Sequence, residues 1–233
     1  MAVIFDFDGV IAESETLANE VLADAITALG YPTTLEEALR EYCGRRFSDV
    51  IGMIEGRLGT PVPADFEQTL FDNTLAALAG ELEEVPGAKS FIRSLSGTSY
   101  CIASSSHPAR LDLCLRRLDL VDAFGPRVFS ASEVPKGKPA PDLFLHAAEQ
   151  LGVSPAQCTV IEDSESGVLA GKAAGMHVIG LVAASHLPPD QSEVLARAGA
   201  DAVMRSWTEV ADFFGAAAGR TDGQAAASSI NSG

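Results

Sequence analysis

Short apolar runs alternate with helical stretches along most of the chain. Six runs are nearly continuous in hydrophobicity, as expected of strands that are covered on both faces: residues 2–5, 100–103, 127–129, 159–161, 178–181 and 202–204. Helical segments are predicted between them at residues 87–95, 108–118, 141–151, 166–174 and 191–198. This alternation is typical of a parallel, doubly wound α/β sheet, which is the fold class we predict.

One long connection interrupts the alternation. It follows the first strand and reaches Pro86 without a convincing strand, and helical periodicity recurs in it at residues 15–29, 35–42, 48–58 and 64–78. We therefore expect an inserted α-helical cap domain over residues 15–83. Residues 1–14 and 84–214 would then form the α/β core domain. Residues 215–233 are small and polar, and we expect them to be a disordered tail.

The charge of the chain is strongly negative. Its 233 residues include 32 Asp and Glu against 16 Lys and Arg, a formal net charge of −16. Residues 13–85 hold fifteen acidic and four basic side chains, so −11 of the total lies there. Such a surface repels nucleic acid and anionic membranes, and we predict neither as a partner. A small anionic substrate remains possible, because a local cation or metal can reverse the field in one pocket.

Two further features bear on location. The sequence contains no apolar run of the length needed to cross a bilayer, and its first residues lack a basic leader. The four cysteines, Cys43, Cys101, Cys114 and Cys158, are scattered without the spacing of a zinc site. These observations favour a reduced, cytoplasmic protein without zinc.

Two aspartates end the first strand. Asp6 and Asp8 are spaced by two residues, so in an extended chain both carboxylates would point to the same side. Ligands of open α/β sheets bind outside the carboxyl ends of the strands. Two like charges buried there require a cation, and carboxylate oxygens suit Mg²⁺. The alternative is an exposed turn that follows a strand and has no catalytic role.

Polar groups also follow two other predicted strands and precede one predicted helix. Glu162 and Asp163 follow one strand, Ser104, Ser105 and Ser106 follow another, and Lys138 precedes a predicted helix. Each has an ordinary structural alternative: acids in the first turn of a helix, serines that cap a helix, or a solvated lysine. Their recurrence at successive strand ends favours one site that binds a phosphoryl group with a metal.

Four ordered motifs carry a family resemblance: DFDGVIAESE at 6–15, IASSS at 102–106, KGKPAPDLF at 136–144 and VIEDSESGVLAGKAAG at 160–175. The sequence resembles the haloacid dehalogenase superfamily, in the branch of β-phosphoglucomutase and small sugar-phosphate phosphatases. The resemblance covers residues 1 to about 205. It implies a Rossmann-like core with a helical cap inserted after the first strand.

The resemblance also implies residue roles. Asp6 would be the nucleophile, Asp8 the general acid and base, Ser104 a phosphate ligand, and Lys138 the cation between nucleophile and phosphate. Mg²⁺ would be held by Asp6, the backbone carbonyl of Asp8 and Asp163, with Glu162 as an auxiliary ligand. Substrate contacts are expected at the remaining loop residues, Gly9, Ser105 and Ser106.

Weaker signals lie outside these motifs. Gly44, Arg45 and Arg46 resemble a cap loop that reaches an active site, and arginines are few in this acidic segment. The alternative is surface ion pairing of the arginines with Glu41 or Asp49. The roles of three further residues, Glu13, His107 and His186, stay open.

The function we predict is a Mg²⁺-dependent phosphatase that acts, as a monomer, on a small phosphorylated metabolite such as a sugar phosphate. A β-phosphoglucomutase-like transferase shares every core residue and is the nearest alternative. A phosphoacceptor signalling domain is a third reading, but such domains are shorter and have no helical lid.

Overall fold

The computed structural model describes residues 1–45 and 47–215 of the chain. Its centre is a six-stranded sheet with the order β3-β2-β1-β4-β5-β6, and every neighbouring pair is parallel. The strands are β1 Ala2–Phe5, β2 Ser99–Ser104, β3 Val128–Ser130, β4 Cys158–Glu162, β5 His177–Leu181 and β6 Ala202–Met204. The predicted doubly wound parallel α/β sheet is therefore confirmed.

The predicted strands match closely at the centre of each run. Strands β1 and β6 have the expected bounds, while β2, β4 and β5 extend one or two residues further. The extensions include polar residues such as Ser104 and Glu162, which join the ladder although hydrophobicity alone would exclude them. Two of the functional candidates thus belong to strand ends rather than to loops.

The helices fall into two groups along the chain. Four follow β1 directly in the sequence: α1 Ser14–Ala28, α2 Leu35–Glu41, α3 Phe47–Leu58 and α4 Phe66–Glu81. Six flank the sheet: α5 Ala88–Ser94, α6 Pro108–Arg117, α7 Val121–Phe124, α8 Asp142–Leu151, α9 Glu165–Ala173 and α10 Gln191–Arg197. A further helix covers residues 207–215. Neither this helix nor α7 was predicted from the sequence. Helix α7 is a single turn, which is too short to show helical periodicity.

Both faces of the sheet are buried. Alternate residues of β1 point to opposite sides, so Phe5 lies in one apolar cluster and Ile4 in the other. On the first face, Phe5 packs against Phe91 and Trp207, whose ring centroids lie 6.2 and 5.9 Å away. The Trp207 indole also donates a hydrogen bond to the Val10 carbonyl at 3.1 Å. This face thereby supports the loop that follows β1.

Helices α1 to α4 bury a separate apolar cluster. Ile26, Ala38 and Ile54 are fully buried in it, and α1 packs against both α2 and α4. This separate core is the packing expected of a cap, while the division into cap and core domains stays a prediction. Within the described residues, no helix is long and apolar enough to cross a membrane.

A tight loop joins β1 to α1. Gly9 has a φ of +74°, a left-handed conformation that glycine adopts readily, and its N–H bonds the Ala12 carbonyl at 2.9 Å. The chain returns beside this loop at Val85, whose N–H donates to the Ile11 carbonyl at 2.8 Å. The entry and exit of the helical segment therefore lie together, next to the carboxyl end of β1.

Candidate active site

Three buried carboxylates meet at the carboxyl ends of two neighbouring strands. Asp6 directly follows β1, Glu162 ends β4 and Asp163 follows it, and one oxygen of each lies within 4.8 Å of the others. Glu162 is fully buried and Asp163 is 5% exposed. Oxygen donors at this spacing fit a hard divalent cation such as Mg²⁺.

Lys138 is the cation that pairs with this cluster. Its ammonium group lies 2.7 Å from Asp6 Oδ1 and 2.6 Å from Glu162 Oε1, and its side chain is only 4% exposed. The residue comes from the loop before α8 and reaches the site from a distant part of the sequence. One ammonium against three carboxylates leaves excess negative charge, so the donor set fits a further cation.

The pKa values of the cluster express this imbalance. Burial raises the pKa of Asp6 to about 7, and the charges of Glu162 and Asp8 act in the same direction against Lys138. Burial and the Glu162 charge likewise hold the pKa of Asp163 well above its ordinary value. Burial would lower the pKa of Lys138, but the Asp6 and Glu162 carboxylates outweigh it and raise that pKa. A further cation bound here would stabilise the charged form of both aspartates beyond what Lys138 alone provides.

Glu162 is the most constrained carboxylate of the three. While its Oε1 faces Lys138, its Oε2 accepts hydrogen bonds from the Ser164 N–H and hydroxyl, each at 2.9 Å. Gly167 lies so close to this carboxylate that a Cβ atom would overlap it. Glu162 therefore orients Lys138, while Asp6 and Asp163 have fewer such partners and are better placed to bind a cation.

Asp8 has a different environment from Asp6. Its carboxylate accepts hydrogen bonds from the Ser14 hydroxyl, from the Ser106 hydroxyl at 2.6 Å and from Arg110 at 2.7 Å. Burial would raise the pKa of Asp8, but the Arg110 charge and the two serine hydroxyls outweigh it and lower that pKa. The two aspartates thus differ in kind: Asp6 belongs to the carboxylate cluster, and Asp8 is held by donors.

The serine loop follows β2 beside Asp8. The buried Ser104 hydroxyl accepts a hydrogen bond from the Ser106 N–H at 3.1 Å and lies 3.5 Å from Asp8 Oδ2, while Ser105 is exposed. The residue that caps α6 is His107, whose Nδ1 accepts from the Ala109 N–H at 3.2 Å. Because His107 caps the helix, the serines are free to face the site.

The turn after α2 lies against the first turn of α1. The Cys43 thiol donates to Glu15 Oε2 at 3.4 Å, and Gly44 follows with a φ of +74°. Arg45 is directed away, since its Nε donates to the Glu41 carbonyl at 2.6 Å. Arg46 lies outside the described residues. The turn is thus near the site, but the Arg45 side chain is bound within its own segment.

Glu13 and His186 connect the loop after β5 to the site. The Glu13 carboxylate accepts from the Ser185 N–H at 3.0 Å and from its hydroxyl at 2.8 Å. The buried His186 side chain has its Nε2 3.7 Å from Asp163 Oδ2, and its Nδ1 has no hydrogen-bond partner among the described residues. Sequence reasoning left both roles open; the structure places His186 beside Asp163, and Glu13 binds Ser185, the residue before His186.

Arg110 and Ser14 are two contacts that sequence reasoning missed. Ser14 precedes α1's acidic residue Glu15 within the first motif, and Arg110 lies one turn into the helix after the serine loop. A basic residue in the first turn of a helix interacts unfavourably with the helix dipole, so Arg110 at that position could have been recognised in the sequence as having another role. Both residues bind Asp8 directly.

Comparisons with known proteins identify the family. Residues 1–175 match the family model described as haloacid dehalogenase-like hydrolase. The chain therefore belongs to this family and is an enzyme, a hydrolase, as the resemblance of the four motifs predicted.

Individual relatives refine this assignment. The chain is 31% identical to hexitol phosphatase B of Escherichia coli (strain K12) over 216 residues, 90% of this chain and 94% of that protein. It is 32% identical to β-phosphoglucomutase of Bacillus subtilis over 189 residues, 77% of this chain and 82% of the relative. A bifunctional riboflavin kinase/FMN phosphatase of Arabidopsis thaliana is 30% identical over 206 residues; the match covers 83% of this chain but only 52% of that relative.

A solved structure shows the same fold. The hydrolase of this family from Deinococcus radiodurans R1, solved with bound phosphate and sodium, is 37% identical with a TM-score of 0.77. The match covers 90% of this chain and 92% of the other.

Proposed function

We propose that this protein is a Mg²⁺-dependent phosphomonoester hydrolase that acts on a small phosphorylated metabolite, a sugar phosphate or a related compound. The observation that carries the proposal is the Asp6 carboxylate, which Lys138 holds at 2.7 Å within a buried cluster completed by Glu162 and Asp163. Hexitol phosphatase B, similar over nine-tenths of this chain, supports phosphatase chemistry.

The reaction proceeds in two steps on Asp6. Arg110 and the serine hydroxyls lower the pKa of Asp8, but the charge of a bound phosphate dianion acts in the opposite direction, and Asp8 enters the first step protonated. A carboxylate oxygen of Asp6 attacks the phosphorus atom, the bond to the ester oxygen breaks, and Asp8 donates its proton to the leaving alkoxide. Water then attacks the aspartyl-phosphate while Asp8 accepts its proton. Inorganic phosphate leaves, and both aspartates return to their starting states.

The remaining residues bind and orient. Lys138 and Ser104, with the backbone amides of Ser105 and Ser106, would stabilise the oxygens of the phosphoryl group. Asp6 and Asp163 would hold Mg²⁺ with the Asp8 carbonyl, and Glu162 would support them by fixing Lys138. When bound, Mg²⁺ supplies positive charge that reduces repulsion between a carboxylate nucleophile and a phosphate dianion.

The helical segment 15–83 would act as a cap that selects the substrate and excludes water. Its turn at Gly44 lies beside Glu15 in the first turn of α1, which supports a substrate contact from Gly44 and Arg45. A contact from Arg46 stays a prediction from the sequence, because this residue lies outside the described ones. Engagement of Arg45 requires release of its bond to the Glu41 carbonyl. We further propose that the enzyme is a cytoplasmic monomer.

A phosphotransferase is the second candidate. The similarity to β-phosphoglucomutase of Bacillus subtilis favours it, because the same residues could pass the phosphoryl group to a sugar hydroxyl. A mutase would require a sugar bisphosphate as activator and would release little inorganic phosphate. A phosphoacceptor signalling domain is disfavoured because such domains are shorter than this chain and have no helical lid.

The test is phosphate release from a panel of sugar phosphates, sugar-acid phosphates and nucleotides in the presence of Mg²⁺. We expect Asp6→Asn to abolish turnover, because it removes the nucleophile. The matched control is Asp112→Asn, which neutralises an exposed aspartate that pairs with Arg116, and it should retain activity. Turnover that survives Asp6→Asn, or that needs no divalent metal, would refute the mechanism.

A further inference from the structure

Arg110 is a buried arginine that contacts the proposed general acid. It lies in the first turn of α6, its side chain is 17% exposed, and its NH2 donates to Asp8 Oδ1 at 2.7 Å. We propose that Arg110 is a positioning residue that fixes the orientation of the Asp8 carboxylate for proton transfer to the leaving oxygen. This inference rests on the proposed function, in which Asp8 is the acid.

The two oxygens of Asp8 have different partners. Oδ1 faces Arg110 and the Ser14 hydroxyl, whereas Oδ2 faces the Ser106 hydroxyl at 2.6 Å and the Ser104 hydroxyl at 3.5 Å. A serine hydroxyl can rotate and either donate or accept, but a guanidinium only donates. Because Arg110 donates to Oδ1, this oxygen acts as a hydrogen-bond acceptor and does not carry the proton. The oxygen free to exchange a proton is Oδ2, which lies beside the serine loop where the phosphoryl group would bind.

Arg110 is itself held by a second carboxylate. The same NH2 lies 3.6 Å from Oε1 of Glu15, which is in the first turn of α1. Within the part of the chain that the structure describes, the Arg110 Nε is buried without a hydrogen-bond partner. The orientation of the guanidinium is thus set by the carboxylates of Asp8 and Glu15, and not by hydrogen bonds from all of its nitrogen atoms. Its position links α6, α1 and the loop that carries Asp8.

Direct recognition of a second substrate anion is the competing role for Arg110. The atom best placed for it, NH2, already faces two carboxylates. Positioning is therefore the role that the contacts favour. The two roles differ in an observable way, because only a positioning defect depends on how much the leaving group needs a proton.

The experiment compares two substrates that differ in this need. An alkyl phosphate such as sorbitol 6-phosphate releases a strongly basic alkoxide, whereas p-nitrophenyl phosphate releases a stable phenolate. The quantity is kcat/KM, which reports transfer to Asp6 and excludes the later hydrolysis step. The variants are Arg110→Gln, Arg110→Lys and Asp8→Asn. The control is Arg116→Gln, which removes an exposed arginine from the same helix.

We expect Arg110→Gln to lower kcat/KM for the alkyl phosphate about tenfold more than for p-nitrophenyl phosphate. This factor is smaller than the full rate enhancement of general acid catalysis, because Asp8 is still present. Arg110→Lys should restore part of the loss, because it keeps a charged donor. Arg116→Gln should leave both values unchanged. An equal loss on both substrates would overturn the inference.

Asp8→Asn separates this inference from the proposed function. If Asp8→Asn shows the selective loss and Arg110→Gln does not, positioning fails while the mechanism stands. If Asp8→Asn turns over the alkyl phosphate as well as the wild type, Asp8 is not the acid and the mechanism itself fails.

Discussion

The backbone of Gly9 lies directly against the carboxylate of Asp163, with no space for a Cβ atom between them. Gly9 also has a φ of +74°, a conformation that L side chains rarely adopt. The loop after β1 can therefore approach the aspartate after β4 only with glycine at this position. This contact brings the carboxyl ends of two neighbouring strands into one site.

We expect Gly9→Ala to displace Asp163 and weaken Mg²⁺ binding at least tenfold. A methyl group there would collide with Asp163 Oδ2 and lie 3.0 Å from the His186 ring. Isothermal titration with Mg²⁺ and the Mg²⁺ dependence of phosphate release would measure the effect.

Gly175→Ala is the matched control for that substitution. Gly175 has a φ of +72°, but a Cβ atom would meet no atom of the described residues within 4 Å. The variant should share the backbone strain, on the order of 1 kcal/mol, and keep the Mg²⁺ affinity. An equal loss of affinity in both variants would show that strain, not contact with Asp163, is responsible.

The raised pKa of Asp6 predicts how pH affects the metal-free protein. This pKa is about 7 in the folded state and about 4 in an unfolded chain, so between these values the folded state binds more protons. Stability should therefore fall as pH rises from about 4 to about 7, by on the order of 4 kcal/mol. Mg²⁺ should offset the loss, because it stabilises the ionised carboxylate.

Thermal unfolding in excess chelator and in excess Mg²⁺ tests this expectation. The increase in Tm caused by Mg²⁺ should be larger at about pH 7.5 than at about pH 5. The Asp6→Asn variant in chelator should lack the decline that ionisation of Asp6 causes. A Mg²⁺ effect that is equal at both pH values would contradict the assignment.

Asp201 has the opposite pH behaviour, far from the site. Its carboxylate accepts from Lys172 Nζ at 2.7 Å and from the Val178 N–H at 2.7 Å. Partial burial would raise its pKa, but these hydrogen bonds and the Lys172 charge outweigh it and lower that pKa. The contribution of Asp201 to stability is thus complete above the pKa of the unfolded chain and is lost as pH falls through the lower, folded value.

We therefore expect Asp201→Asn to reduce the free energy of unfolding by about 1–2 kcal/mol at neutral pH. The difference from wild type should shrink as the pH is lowered toward 3. Urea unfolding across this range would measure it, with Asp24→Asn, an exposed substitution on α1, as the control. A difference that stays constant with pH would exclude the carboxylate charge as its source.

The sheet was predictable because burial on both faces forces nearly continuous apolar runs. The hydrophobic runs overlapped all six strands, including the three residues of β6, although the run predicted for β3 began one residue early. Their polar ends were not predictable in this way, because Ser104 and Glu162 are buried by partners distant in sequence. The single turn α7 and the helix at 207–215 were also not predicted. For α7 the reason is that one helical turn is too short to show a hydrophobic periodicity.

The site was predictable where strand topology brings residues together. Asp6, Glu162 and Asp163 follow neighbouring parallel strands, so their proximity follows from the fold. Arg110 could not be placed in the same way, because its contact with Asp8 depends on how α6 lies against the loop after β1. Which side chain reaches across such a gap is decided by tertiary packing, not by spacing along the chain.

Trp207 gives the enzyme a built-in optical probe. It is the only tryptophan in the sequence, and its indole donates to the Val10 carbonyl in the loop that carries Asp8. The ring is 2% exposed and stacks on Phe91 with centroids 5.0 Å apart. Intrinsic fluorescence therefore reports from one known position behind the loop that follows β1, and rearrangement of that loop can be followed without attaching a dye.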